Sequence, residues 1–176
     1  TVVNVYSTTK TMAALTMLLL ADRGVLALED PVAKCWPEFA AEGKGDVTIA
    51  MLLAHSAGLS GLDTPAKGEA LYDHDEIAAR LATQAPWWTP GSASGYHALT
   101  QGYLLGEVVR RTTGKTLGTV FREEIAEPLG IDFHIGTPES VDPRIGDLIP
   151  PDQHLGEAAG GDPDSISART FRSPLA

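Results

Sequence analysis

The chain has 176 residues, 43% of them hydrophobic and 20% charged. These are ordinary proportions for a soluble globular protein, and the length suffices for one domain with a sizeable core or for part of a larger one. Its formal charge of −10 is shared evenly between the halves, with no basic patch or tail, which argues against nucleic acid and anionic membrane surfaces as partners.

Residues from about Ser7 to Arg23 predict a first helix, with Gly24 suited to the left-handed position after its end. The run Met12 to Ala21 is too short to span a bilayer, and it is apolar nearly all round, so a buried helix is expected. An irregular segment through Trp36-Pro37 leads to a short helix at Ile49 to Ala54, stopped by Ser56-Ala57-Gly58. Residues 59–72 read as loop. A helix near Asp73 should turn Ile77, Ala78 and Leu81 inward, and Trp87-Trp88-Thr89-Pro90-Gly91 reads as a rigid turn. From Tyr96 a helix should run to about Thr113 and close at Gly114, with Leu99, Tyr103, Gly106 and Val109 in its stripe. Thr116 opens one more helix, to about Glu127, ended by Pro128-Leu129-Gly130. Ile131 to Ile135 has the makings of a short strand. Beyond Gly136 the Pro, Gly and Asp content predicts extended loop, poorly ordered at the end. The inventory is mainly α, and it divides into a helical region, 1–136, and an irregular segment, 137–176.

Ser7 and Lys10 are the residues of most chemical interest. Three residues apart at the head of a helix, they share a face, so the amine can reach back towards the hydroxyl. A serine hydroxyl needs a neighbouring base to attack a carbonyl, and an apolar setting favours a neutral lysine. On its own, though, Ser-x-x-Lys is equally the pattern of a capping serine before a helix. Cys35 cannot form an internal disulfide and reads as a structural thiol, and the lack of disulfides favours a cytoplasmic chain over a periplasmic or secreted one. No His, Cys, Asp or Glu cluster has metal-ligand spacing and no Gly-rich loop follows a strand, so neither a metal nor another cofactor is expected.

Four stretches in order carry a resemblance. Ser7-Thr8-Thr9-Lys10, then Leu28-Glu29-Asp30-Pro31-Val32, then Leu52-Leu53-Ala54-His55-Ser56-Ala57-Gly58-Leu59, then Pro90-Gly91 with Gly95-Tyr96-His97-Ala98, resemble the motifs of the serine β-lactamase and penicillin-binding-protein superfamily. Within it the chain is most similar to the class C β-lactamase-like carboxylesterases (family VIII esterases). The resemblance implies that Ser7 is the nucleophile, Lys10 its base, and Tyr96 the shuttle that carries the proton to the leaving group. The N–H of Ser7 would donate into the oxyanion hole. It also implies the helical part of an α/β serine β-lactamase-like fold, with most of the antiparallel sheet missing.

Two departures bear on function. Ala98 stands where the lactamases carry an Asn that binds substrate amides, which favours esters over β-lactams. The third motif, Lys-Thr-Gly or His-x-Gly on a strand, has no match at the expected distance; His134-Ile135-Gly136 has the letters but lies too close to Tyr96. Without that strand one oxyanion donor is missing, so these residues alone should be poorly active.

The expected function is a carboxylesterase that forms an acyl-enzyme on Ser7 from short-chain, small-molecule esters. A β-lactamase or D-alanyl-D-alanine carboxypeptidase is the alternative within the same chemistry, and a non-catalytic lactamase-like binding protein the alternative outside it. The expected partner besides substrate is the remainder of the same hydrolase. His97 and Trp88 are candidates for lining the substrate site, although a solvent-facing His97 is equally open and loop anchoring is the favoured reading of Trp88. His55 is expected to shape the site as a capping or packing residue. His74 and His134 read as surface residues, His154 as part of the irregular tail, and Arg110-Arg111 as a solvated helix face.

Overall fold

A computed structural model of the chain describes residues 1–66, 68–149, 162 and 164–172. Seven α-helical segments appear: α1 (Thr9–Asp22), α2 (Ile49–Leu53), α3 (His74–Thr83), α4 (Thr100–Thr113), α5 (Leu117–Phe121), α6 (Glu127–Leu129) and α7 (Ile166–Arg172). Among the described residues there is no strand. Only two isolated bridges occur, Val2 with Ile145 and Pro31 with Thr48. The architecture is therefore mainly α, as the sequence predicts.

The core gathers around α4, which packs on α1, α2, α3 and α5. Its Leu104, Leu105, Val108 and Val109 are buried, spaced so that one face looks inward. Trp36 and Phe39 from the 3-10 region between α1 and α2 complete this core, with ring centroids 5.1 Å apart. Side-chain caps start four of the described helices: Thr48 accepts from Met51 N–H, Asp73 from Glu76 N–H, Thr116 from Thr119 N–H and Ser165 from Ala168 N–H. Each satisfies a backbone donor that the first turn leaves without a helical acceptor. Gly114, at φ +73°, closes α4 in the left-handed conformation that glycine adopts without penalty.

α1 departs from expectation on one face. Ala13, Thr16, Met17 and Leu20, at i, i+3, i+4 and i+7, are buried, but Leu15 and Leu18 are about half exposed. The described residues cover one side of this helix and leave its other apolar side open.

α4 also begins later than predicted, at Thr100 rather than Tyr96. Residues 95–98 are held instead by the loop after α2, where Gly95 N–H donates to His55 O at 2.9 Å and Leu59 N–H to His97 Nε2 at 3.1 Å. Those bonds hold the segment against the α2 loop, and Leu99 takes the N-cap position. The helix after Thr116 is not one uniform element either: it widens to a π turn at Arg122–Ala126 before Glu127–Leu129. The widening falls just upstream of Pro128, which has no N–H to continue the pattern. Ile131 to Ile135 finds no strand partner. Ile131 N–H closes the helix end on Ala126 O at 2.8 Å, and Phe133 packs edge-on against Phe121.

Among the described residues past Gly136, two helical elements appear where extended loop is expected. Glu139–Arg144 forms a 3-10 turn, after which Ile145 bridges to Val2. α7 docks on the loop before α3: Thr170 is buried and its hydroxyl lies 2.6 Å from that of Ser60. Arg169 bonds Asp63 and stacks over Trp87. The expectations for the end of the chain, including His154, lie outside the described residues.

Candidate active site

Ser7 sits in a single 3-10 turn, Tyr6–Thr8, that runs into α1. Tyr6, directly before it, has φ +45°, a conformation uncommon for a residue with a side chain. Its N–H is held by Asn4 Oδ1 at 2.8 Å. The Tyr96 hydroxyl donates to Ser7 Oγ at 2.6 Å, across 89 positions of sequence. Lys10 Nζ donates to the carbonyl of Ala98 at 2.7 Å and lies 5.2 Å from the centre of the Tyr96 ring. The structure thus brings together the three residues singled out as catalytic. The arrangement differs in one respect: the group bonded to Ser7 Oγ is Tyr96, and Lys10 is tethered beside the pair by the backbone of the tyrosine segment.

Both sides of Tyr96 are held by histidines. His55 has φ +58°, and its Nδ1 accepts His97 N–H at 3.0 Å while its ring lies 5.0 Å from that of Tyr96. Burial, and then the charge of Lys10, lower the pKa of His55 below its ordinary 6.5. Gln101, on α4, donates to Leu52 O and Leu53 O at the end of α2 and faces His55 Nε2 at 3.4 Å. It is buried, and its Oε1 has no partner among the described residues.

His97 and Trp88 require correction as substrate-site candidates. His97 is completely buried. Its Nδ1 lies 2.6 Å from Gly95 O, which only accepts, so Nδ1 carries the proton and Nε2 is free to accept Leu59 N–H. Burial pushes its pKa down to about 4 against the opposing Gly95 bond, with His55 adding a smaller push. Trp88 donates from Nε1 to Ala93 O at 3.0 Å, and its ring covers Gly95 so closely that a Cβ there would stand 2.6 Å from it. Both residues brace the 88–97 loop and neither lines the cavity at Ser7.

That cavity is a groove of about 690 Å³, bordered by Tyr6, Ser7 and Lys10 and, along α4, by Gln101, Gly102 and Arg110. His134-Ile135-Gly136 has the letters of the third motif but not its setting. It belongs to no strand, and His134 Nε2 is paired with Asp132 at 3.1 Å. His74 is half-buried rather than on the surface, 3.6 Å from Glu107. Arg110 and Arg111 are exposed, as expected of a solvated helix face, and both also bond the buried carboxylate of Glu107. Burial would raise the Glu107 pKa, but these bonds outweigh it and hold it below the ordinary carboxylate value.

The Beta-lactamase family profile matches residues 1–168, and the chain belongs to that family. Its described structure is the helical part of the family's fold. Among curated proteins it is 44% identical over 149 residues to the esterase/beta-lactamase LipL of Mycobacterium tuberculosis, covering 84% of this chain and 34% of LipL. Among solved structures, a penicillin-binding-protein homologue from Caulobacter crescentus is 43% identical with a TM-score of 0.81, covering 99% of this chain and 47% of that one. A family VIII carboxylesterase is 48% identical with a TM-score of 0.79, covering 82% and 40%. The chain therefore spans less than half the length of these relatives. No helix among the described residues is long and apolar enough to cross a membrane.

Proposed function

We propose that this chain carries the nucleophile and proton-transfer groups of a serine hydrolase that acts on short-chain carboxylic esters. The supporting observation is the 2.6 Å bond between Ser7 Oγ and the Tyr96 hydroxyl, with Lys10 Nζ 5.2 Å from the ring. A proton can pass between the two oxygens, and the Lys10 ammonium stabilises negative charge on whichever has given it up. With Tyr96 as the phenolate, its own proton released to solvent, Ser7 Oγ then attacks the ester carbonyl carbon and the Ser7 proton goes to the Tyr96 oxygen. The carbon–oxygen bond to the alcohol breaks as Tyr96 returns that proton to the leaving oxygen, and water hydrolyses the acyl-Ser7 ester in a second round. In this reading residues 1–136 hold the site and the substrate is a small-molecule ester.

The esterase reading is favoured by Ala98, whose side chain offers substrate no amide, and by the esterase names borne by relatives such as LipL and EstB of Burkholderia gladioli. A β-lactamase or D-alanyl-D-alanine carboxypeptidase is the second reading, favoured by the likeness to the Caulobacter penicillin-binding-protein homologue. No strand among the described residues brings a second oxyanion donor to Ser7. Loss of one such donor costs about 3–4 kcal/mol of transition-state stabilisation, so these 176 residues alone should turn over esters poorly.

Fluorophosphonate treatment followed by peptide mass analysis tests the reading. A single adduct on Ser7, lost in Ser7→Ala, is expected, with p-nitrophenyl acetate preferred to nitrocefin. No adduct, or an adduct elsewhere, would make the chain a non-catalytic member of the family, and faster nitrocefin hydrolysis would reverse the order of the two readings.

A further inference from the structure

Tyr96 is itself 43% exposed and lies outside α4, so its hydroxyl stays on Ser7 only if its backbone is held. The flanking residues show what holds it. Gly95 N–H donates to the carbonyl of His55 at 2.9 Å, and His97 N–H donates to Nδ1 of the same residue at 3.0 Å. One residue thus grips the chain on both sides of Tyr96 and lays its own ring 5.0 Å from the tyrosine ring. Both grips depend on the left-handed backbone of His55, at φ +58°, which turns carbonyl and side chain towards the same segment. Histidine is among the residues that tolerate this conformation, as is asparagine, whereas alanine is not.

We infer that His55 is the positioning residue of Tyr96 and works only as the neutral imidazole, so that protonating it releases the tyrosine segment from Ser7. A protonated ring has no acceptor, because both nitrogens then carry hydrogen, and the His97 N–H would face a donor. The groups facing His55 reinforce this. They are Lys10 on α1, Tyr96 and His97 on the loop, and the uncharged amide of Gln101 on α4. The one permanent charge among them is positive and opposes a second. Burial and Lys10 together keep the ring neutral near pH 7. The site would therefore switch off as the pH falls below the ordinary histidine range, through loss of geometry and not through loss of the nucleophile.

The inference rests on the proposed function only in taking Tyr96 as the proton carrier for Ser7, so the test has one arm that needs no chemistry. Wild type, His55→Asn and His55→Ala are compared by amide hydrogen exchange at Gly95 and His97, and by the rate of fluorophosphonate labelling of Ser7 from about pH 5 to about pH 8. Asparagine keeps the left-handed backbone and offers Oδ1 where Nδ1 was, without titrating. In His55→Ala the two amides should exchange at least about tenfold faster while core amides of α4 do not change. Its labelling rate should fall by about a hundredfold, the scale of a displacement near 1 Å. His55→Asn should label within about tenfold of wild type at neutral pH and lack the acid limb of the wild-type profile. A wild-type acid limb surviving in His55→Asn, or wild-type exchange and labelling in His55→Ala, would overturn the proposal. If His55→Ala does not fold, the acid limb of His55→Asn still decides. If even the wild type resists labelling, the hydrolase reading fails, and exchange at Gly95 and His97 across the same pH range decides whether neutral His55 holds the segment.

Discussion

Lowering the pH should destabilise this fold through one buried ring, His97. The ring is fully buried, donates from Nδ1 to Gly95 O at 2.6 Å and accepts Leu59 N–H on Nε2 at 3.1 Å. Protonation would place a hydrogen on Nε2 against the Leu59 donor and a charge in the core, which is why burial brings its pKa from 6.5 to about 4. In the unfolded chain the ring takes its proton near 6.5, so between there and about 4 the unfolded state binds more protons than the folded one. The contribution is complete above 6.5 and disappears as the pH falls towards about 4. At about 1.4 kcal/mol per pH unit this amounts to roughly 3 kcal/mol, a large part of a total that is typically about 5–15 kcal/mol. Urea unfolding of wild type and His97→Gln at about pH 7 and about pH 4.5 measures it, since the glutamine variant should lose less stability over that interval. An NMR titration in which the folded His97 ring takes its proton near 6.5, or equal losses in the two proteins, would refute the argument.

Three further substitutions test the packing. Glu107→Ala should cost about 2–3 kcal/mol in urea unfolding, because Arg110 loses the carboxylate that accepts two of its bonds and Arg111 is left with Glu38 alone. The figure stays below that of a wholly buried pair because the two arginines can be rehydrated from solvent. Gly118→Ala and Gly102→Ala should move the melting temperature in opposite directions. A Cβ on Gly118 would stand 1.9 Å from Ile135 O, a backbone atom that cannot swing away, and should cost about 1–3 kcal/mol. A Cβ on Gly102 meets nothing within 4 Å, so replacing glycine inside α4 should stabilise by about 0.5–1 kcal/mol.

The helices themselves were legible from local signals. Asp73 and Thr116 cap where they were expected to, Gly114 closes α4, and Ile77, Ala78 and Leu81 face inward as their spacing requires. Ser7 and Lys10 were readable because three-residue spacing at a helix start puts two side chains on one face. Tyr96 required motif order, since nothing local says that a residue 89 positions away meets Ser7. The direction of His97 and Trp88 is not legible for a related reason. Adjacency to Tyr96 in sequence says nothing about direction, and both side chains turn away from the groove to brace the loop. Arg110 and Arg111 are exposed, as a charged pair on a helix usually is, but their shared acceptor is not legible locally. The carboxylate that recruits them, Glu107, is buried only once α3 and α4 have packed.

The sequence alone settled what short-range physics governs: composition, which segments are helical, where several of them stop, and the family to which four ordered motifs belong. Tertiary structure alone decided that Tyr96 bonds Ser7 while Lys10 is tethered to Ala98 O. It also decided that His55 grips both sides of the tyrosine. Those contacts join residues about 40 to 90 positions apart, and they depend on where α1, the end of α2 and the start of α4 are packed. No local preference encodes such a distance, because it is set by the packing of the whole core.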